Sequence, residues 1–130
     1  MRILTLLLTL LIVGNAWAES LPESKVIPAI LGEASNYPER LAIAHAIINR
    51  GHLKGVYGHL KASSDEQYQE GSKIWHEALE STVDPIYGAD HWLSDYDLKH
   101  SRPKLIAWRK RMKETAYIGN THFYKKKGAK

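Results

Sequence analysis

The segment from Glu39 to Arg50 leaves almost no polar face for a helix. Apolar residues fill nearly every position between these ends: Leu41, Ala42, Ile43, Ala44, Ala46, Ile47 and Ile48. A helix that is apolar all round must be buried in the middle of a domain. Pro38 suits the first turn of this helix, and Gly51 suits its C-terminal stop. The sequence therefore predicts a central helix over 39–50 with the other elements packed around it.

The composition is that of one globular domain, and it excludes several kinds of site. The chain has 130 residues and no cysteine, which excludes disulfides, thiolate zinc sites and a cysteine nucleophile. It has neither a P-loop nor a GxGxxG turn, so nothing points to nucleotide chemistry. Lysine and arginine number 18 against 14 aspartates and glutamates. This modest excess favours an anionic polymer or surface as partner without identifying it.

Residues 1–18 have the layout of a secretory signal peptide. An arginine is followed by the apolar stretch from Ile3 to Val13 and by an A-x-A cleavage pattern that ends at Ala18. The apolar stretch is short for a membrane span, and an uncleaved N-terminal anchor is the alternative. We therefore expect residues 19–130 to be exported to the periplasm or the cell exterior, with no membrane anchor after cleavage.

Helical periodicity recurs in three further segments. Over 20–35 the apolar residues have helical spacing, and Pro28 predicts that the regular part of this helix begins late. A capping box at Ser64 predicts a helix that ends near Glu80. A fourth helix begins at Pro103, and its inner stripe is formed by Leu105, Trp108 and Met112.

The end of the chain has a different pattern. Segments 89–93 and 117–124 are typical of short strands or hairpin arms, and 125–130 is a basic stretch that we expect to fray. The sequence therefore predicts an α+β domain that is mostly helical, with a small antiparallel sheet in its C-terminal half.

Glu33 is a carboxylate in an apolar setting. It lies in the first helix, near the edge of the apolar stripe. A carboxyl group there is partly desolvated, which favours the protonated form that a general acid needs. A solvated glutamate at the edge of an amphipathic helix is the alternative.

Other polar residues carry weaker hypotheses. Asp84 stands before a proline and is typical of a turn. Asp90 and His91 would suit an acid–base pair, but adjacent strand residues point to opposite faces. His45 and Asn49 lie one turn apart on the central helix, where they either reach a ligand or form a core pair. The seven histidines have no HxH, HxxxH or HExxH spacing, so we predict no metal site.

The aromatic residues divide into two groups. Trp75 and Trp108 fit the inner stripes of helices. Tyr87, Trp92 and Tyr124 lie on turns or strands instead, where they either pack or stack on sugar rings or bases.

Four stretches carry a recognisable set of motifs: GEA at 32–34, LAIAHAIINR at 41–50, DPIYGADHW at 84–92 and IGNTHFY at 118–124. In this order they resemble the SleB-like cell wall hydrolase family, typified by the catalytic domain of spore cortex-lytic enzymes. The family pattern reads approximately GEA, AVAxVIxNR, DPTxGAxHW and IGxHxFY. The resemblance spans about residues 26–125.

The resemblance implies a domain similar to lysozyme and lytic transglycosylases, with a groove for a glycan strand, over residues 19–130. It implies that Glu33 is the catalytic glutamate. It also carries over a set of substrate-binding residues from the GAxHW and IGxHxFY motifs: Tyr87, Gly88, His91, Trp92 and Tyr124.

Two positions depart from the family pattern. Ile86 stands where the family has threonine, and Thr121 stands where it has histidine, with His122 one residue late. A shift of one residue in a strand moves a side chain to the opposite face. Whether Thr121 or His122 serves in the groove therefore stays open.

The resemblance implies cleavage of the β-1,4 bond between N-acetylmuramic acid and N-acetylglucosamine in peptidoglycan. Hydrolases use two carboxylates for such a bond, whereas a lytic transglycosylase needs one. Glu33 has no obvious partner, although Asp84 and Asp90 stay open. We therefore expect a lytic transglycosylase that needs no cofactor, acts as a monomer on peptidoglycan glycan strands and does not bind nucleic acid. The alternatives are an N-acetylmuramoyl-L-alanine amidase and a wall-binding module without turnover.

Overall fold

The computed structural model describes residues 21–128, and the predicted signal peptide lies outside the described residues. Within 21–128 the predicted α+β class, with a small antiparallel sheet in the C-terminal half, is confirmed. The elements in chain order are α1 (Glu23–Glu33), α2 (Tyr37–Arg50), α3 (Asp65–Glu80), β1 (His91–Ser94), α4 (Asp95–Lys99), α5 (Pro103–Lys110), β2 (Met112–Ile118) and β3 (Thr121–Lys126). None of the helices in this range has the length and apolar character needed to span a membrane.

Helix α2 is the central element that the apolar segment predicts. All its side chains from Ala42 to Ile47 are buried, and α1, α3 and two strands pack against it. The side chain of Asn36 accepts a hydrogen bond of 3.1 Å from the Glu39 amide, so the helix begins at Tyr37, two residues before the predicted start. Gly51, with a φ of 78°, ends it as predicted.

Helix α1 runs regularly through Pro28, so the prediction of a late start is wrong. Proline removes one N–H donor from a helix interior. The residues on both sides of it are buried, and that burial outweighs the lost hydrogen bond: Val26, Ile27, Ala29, Ile30 and Leu31. The Pro28 carbonyl accepts a hydrogen bond of 2.9 Å from the Leu60 amide, which fastens the loop after α2 onto α1.

Helix α3 has the predicted bounds. The Ser64 hydroxyl accepts a hydrogen bond of 3.1 Å from the Gln67 amide at its start. Trp75 is buried in the core as predicted. Gly71 lets α3 approach α1 closely, because a Cβ there would lie 2.7 Å from Cγ2 of Ile27.

The three strands are antiparallel in the order β1-β3-β2. The predicted segment 117–124 is a hairpin that turns at Gly119 and Asn120, and β3 continues to Lys126, so the start of the predicted frayed tail is a paired strand. Helix α5 ends at Lys110, and Met112 begins β2 instead of belonging to the helix stripe. Helix α4 was not expected; Ser94 and Asp97 close a capping box at its start.

Candidate active site

An open groove of about 660 Å³ lies where the helical part of the domain meets the sheet. The end of α1, the loop after α2, β1, the two short helices and the start of β3 all contribute to it. The side chains and backbone that the site depends on are Glu33, Arg50, Tyr57, Gly58, His91, Trp92, Asp97, Trp108 and Thr121.

Glu33 is the last residue of α1, and its half-buried carboxyl group lines this groove. Oε1 accepts a hydrogen bond of 2.6 Å from the Gly58 amide, and Oε2 accepts one of 2.9 Å from Nε1 of Trp92. Each oxygen retains a further lone pair for a proton or a substrate hydrogen bond. The carboxyl group is therefore fixed in orientation, with a lone pair left on each oxygen.

Two glycines allow the loop after α2 to lie directly on the end of α1. A Cβ on Gly32 would collide with the backbone of His59. A Cβ on Gly58 would lie 2.5 Å from Cγ of Glu33. Neither glycine has a left-handed φ, so the close approach alone requires glycine at both positions.

The backbone around Glu33 is held from the other side by Arg40. This residue is buried, and its Nε donates a hydrogen bond of 2.9 Å to the Ala34 carbonyl, while Nη2 donates one of 3.5 Å to the Leu31 carbonyl. These carbonyls lack partners within the helix because α1 ends here. Arg40 therefore fixes the end of α1 from which Glu33 projects.

Arg50 supports the Trp92 ring. Its guanidinium carbon lies 4.7 Å from the ring centroid, a cation–π contact. Nε donates a hydrogen bond of 2.9 Å to the Asp90 carbonyl and Nη1 one of 3.1 Å to the Lys54 carbonyl. Burial lowers the pKa of Arg50, and the charges of Asp90 and Glu33 oppose this. Trp92 is thus held between the carboxylate that it binds and the cation behind it.

His91 and Trp108 line the same groove. Nδ1 of His91 lies 2.7 Å from Oδ1 of Asp90, and its ring centroid lies 5.5 Å from that of Trp108. The expectation that Asp90 and His91 point to opposite faces is wrong, because Asp90 precedes β1 and the alternation of a regular strand does not extend to it. The contact at Nδ1 leaves Nε2 of His91 for a ligand.

Tyr124 lies behind this pair and is not one of the groove-lining residues. It is buried, and its ring meets Trp108 edge-on with centroids 5.4 Å apart. Burial, with the nearby charge of Glu114, raises the pKa of its hydroxyl group. The structure therefore places Tyr124 as a support for Trp108.

Tyr87 and Gly88 form the turn before β1 and are not among the groove-lining residues. Both have positive φ, 53° and 83°, and the Tyr87 side chain is largely exposed. Asp84 holds the turn, because its carboxylate accepts hydrogen bonds from the amides of Ile86 and Gly88 and from the Asn49 side chain. Asn49 thus pairs with this turn and not with His45.

Thr121 and His122 lie on opposite faces of β3, as the one-residue shift predicts. Thr121 is buried and lines the groove. His122 contacts two carboxylates instead, with Nε2 2.7 Å from Asp95 and Nδ1 beside Glu114. Hydrogen bonds from Tyr117 and His122 lower the pKa of Asp95. Thr121 therefore occupies the groove position.

Metal-ligand geometry is not present in the part of the chain described. No group of three or more histidines, aspartates and glutamates within 21–128 is placed to hold a metal ion. The carboxylates beside His122 contact different ring nitrogens and so do not converge on one point.

Two further carboxylates lie near Glu33. Asp97 is exposed and lines the groove, with Oδ2 accepting a hydrogen bond of 3.0 Å from the Ser94 amide. Glu39 is buried and shares a shallow cavity with Glu33 and Thr121. Its Oε1 accepts a hydrogen bond from the Asn120 amide, which holds the hairpin turn against α2. Glu39 therefore has a structural partner, and Asp97 is the second carboxylate that faces the groove.

The resemblance implies one site formed by Glu33, Tyr87, Gly88, His91, Trp92 and Tyr124, and the groove lining contains three of these, Glu33, His91 and Trp92. Arg50 belongs to one of the sequence motifs, but the motif indicates no role for it. The sequence predicts Trp108 in the inner stripe of a helix, not in a groove. Tyr57 and Gly58 lie in a glycine-rich loop whose path the sequence does not reveal. No family model, curated protein or solved structure matches this chain.

Proposed function

We propose that this protein cleaves the β-1,4 bonds of peptidoglycan glycan strands as a lytic transglycosylase, and that it is a member of the SleB-like cell wall hydrolases. The observation that carries the proposal is the Glu33 carboxyl group, half-buried in an open groove and oriented by two N–H donors. A general acid must be held within reach of the leaving oxygen, and such fixed geometry provides this.

One carboxyl group is sufficient for the reaction. Protonated Glu33 donates its proton to the glycosidic oxygen while the bond from C1 of N-acetylmuramic acid to that oxygen breaks, and positive charge develops at C1. The resulting Glu33 carboxylate then removes the proton of the C6 hydroxyl group of the same sugar. The C6 oxygen bonds to C1, which closes a 1,6-anhydro ring and returns Glu33 to its protonated form without water.

Aromatic side chains along the groove suit a sugar polymer. Trp108 and the exposed Tyr57 line it, and His91 presents a ring held by Asp90. Rings of this kind provide apolar faces against which a sugar can pack, while the polar atoms beside them bind hydroxyl and acetamido groups.

The basic surface of the C-terminal part supports an anionic partner. Lys113 and Lys125 are direct partners across β2 and β3, an arrangement of like charges that destabilises a sheet. Further basic residues lie near them along the chain: Arg109, Lys110, Arg111, Lys126 and Lys127. Cell walls carry phosphate and carboxylate groups, which such a surface attracts.

Asp97 favours one second candidate, an ordinary glycoside hydrolase. It is a carboxylate on the same groove as Glu33, and hydrolases use a second carboxylate to activate water or to attack the sugar. Hydrolysis leaves a reducing end in place of the anhydro ring, so the products separate the two candidates.

The deciding experiment is digestion of purified sacculi by the wild type, Glu33→Gln and the control Glu70→Gln, which changes an exposed residue of α3. We expect soluble anhydro-muropeptides by mass spectrometry from the wild type and the control, and none from Glu33→Gln. Glutamine places an NH₂ group opposite one of the two N–H donors, so a loss of about 1–3 kcal/mol in unfolding free energy accompanies the loss of activity.

Other outcomes of this digestion would contradict the proposal in distinct ways. Products with reducing ends from the wild type, which the Asp97→Asn variant no longer forms, would indicate hydrolysis with two carboxylates. Release of intact stem peptides indicates an amidase. Binding of sacculi without soluble products, unchanged by Glu33→Gln, indicates a wall-binding module.

We also propose that the chain is exported and that its signal peptide is cleaved after Ala18. The exported protein is then a monomer whose partner is peptidoglycan and not nucleic acid. N-terminal sequencing of the exported protein should then begin at Glu19. Retention of residues 1–18 would support the alternative of an N-terminal anchor.

A further inference from the structure

A recess of about 300 Å³ opens from the side of the groove. It shares Arg50, Gly55, Tyr57 and His91 with the groove and adds three residues, His52 and Lys54 from the loop after α2 and Asp90. A ligand in the groove can therefore extend a substituent into the recess without leaving the protein surface.

The guanidinium group of Arg50 is a half-buried cation that lines this recess. It is half-buried, yet no carboxylate of the described residues lies within salt-bridge distance of it. Its Nε and Nη1 donate to carbonyl oxygens, and Nη2 makes no hydrogen bond to the described residues. The charges of Asp90 and Glu33 and the face of Trp92 compensate this half-buried charge, and Nη2 stays available to an anionic ligand.

Two cationic side chains and one carboxylate line the recess, and the charge of Glu33 in the adjoining groove also acts on Arg50. Lys54 is exposed and has no ion-pair partner among residues 21–128. The single acidic side chain is Asp90, and Oδ1 of its carboxylate is engaged by His91. Two cations therefore face one carboxylate, and the guanidinium is already oriented by two carbonyls. A carboxylate is the ligand that such a guanidinium binds best.

We propose that this recess binds a carboxylate of the peptide carried by N-acetylmuramic acid, so that the enzyme prefers strands that retain their stem peptides. The inference rests on the proposed function for the identity of the strand. Stem peptides leave the glycan sideways at each muramic acid and carry free carboxylates, which matches both the position and the charge of the recess. Arg50 and Lys54 are the residues that would bind the carboxylate.

The kinetic test compares two substrates, glycan strands with their stem peptides and the same strands after removal of the peptides by an amidase. We expect kcat/KM of the wild type to be about tenfold higher for the peptide-bearing strands. In Lys54→Gln this ratio should fall towards one, mainly through a higher KM for the peptide-bearing strands. Lys61→Gln, an exposed lysine of the same loop outside the recess, should keep the wild-type ratio. An equal rate on both substrates, or a ratio unchanged in Lys54→Gln, overturns the inference and leaves the proposed function intact.

A binding test does not depend on turnover. The free stem peptide is titrated into ¹⁵N-labelled Glu33→Gln protein, with the same peptide amidated at its carboxyl groups as the matched control. We expect saturable shifts at the Gly55 amide and the Arg50 side chain with the acidic peptide only, and weaker binding in the double variant with Lys54→Gln. Equal binding of the amidated peptide, or no binding, overturns the inference even if the protein has no activity on glycan strands.

Discussion

Two N–H donors from distant parts of the chain converge on Glu33. One is a backbone amide in the loop after α2, and the other is the indole of Trp92 on β1. A carboxyl group at the end of a helix would otherwise sample several rotamers. The two hydrogen bonds select one of them, so the geometry of the Glu33 carboxyl group depends on residues far from it in the sequence.

The indole hydrogen bond has a direct test in Trp92→Phe. The ring that packs against Arg50 is retained, whereas the donor to Oε2 of Glu33 is lost. We expect about 1 kcal/mol less unfolding free energy and a fall in kcat of about tenfold to a hundredfold, because the carboxyl group is less well oriented.

Trp75→Phe is the matched control for this variant. Trp75 is buried in the core on α3, so its replacement should lower the melting temperature and leave kcat near the wild-type value. A Trp92→Phe enzyme with wild-type kcat would show that the indole does not position Glu33.

At the scale of elements, the loop after α2 is the part that completes the site. It crosses the end of α1 at Gly32, is fastened to Pro28 by a backbone hydrogen bond, and supplies Tyr57 and Gly58 to the groove. Its polar, glycine-rich sequence predicts a loop and says nothing about where the loop packs.

Gly58→Ala tests this packing by sterics alone. The added Cβ would lie 2.5 Å from Cγ of Glu33, so either the loop or the carboxyl group must move. We expect kcat/KM on sacculi to fall at least about tenfold while the far-UV circular dichroism stays unchanged. His59→Ala, in the same loop and with no new atom beside Glu33, should retain activity. Full activity in Gly58→Ala would mean that the loop does not hold the carboxyl group.

The elements themselves were predictable where a strong local pattern coincides with burial. The apolar run of α2 and the serine cap of α3 gave their positions nearly to the residue. The failures came from tertiary packing, which keeps Pro28 inside α1, and from strand pairing, which brings Met112 and the lysines after Tyr124 into the sheet.

The candidate site was predictable to a smaller extent. The motifs contain Glu33, His91 and Trp92, but a motif does not show that Tyr87 and Gly88 form a turn outside the groove lining or that Tyr124 packs against Trp108. Those placements depend on how the sheet docks on the helices. The cation–π contact between Arg50 and Trp92 likewise cannot be predicted from the sequence, because it depends on the folded structure.

At the scale of the whole molecule, the core contains a histidine through which we expect stability to depend on pH. His45 is buried on α2, and burial lowers its pKa, opposed by the charges of Asp84 and Glu77. The unfolded chain then binds the proton more tightly than the folded protein does. The free energy of unfolding should therefore fall as the pH drops below about 6.5, the ordinary value for histidine.

Thermal unfolding at about pH 7.5 and about pH 5.5 measures this dependence. The wild type should lose melting temperature at the lower pH, and His45→Gln should lose less. His52→Gln, which changes an exposed histidine, should behave like the wild type. Identical pH slopes for all three proteins would exclude His45 as the source.

The end of α1, the loop after α2 and strand β1 meet at the Glu33 carboxyl group, so the site exists only when all three are in place. A helix end, a loop and a strand that are far apart along the chain must all be docked before the acid has its geometry. A nascent or partly unfolded chain carries the same glutamate but not the assembled acid. Under the proposed function, the chain therefore acquires activity on peptidoglycan only once folding has brought the helix end, the loop and the strand together.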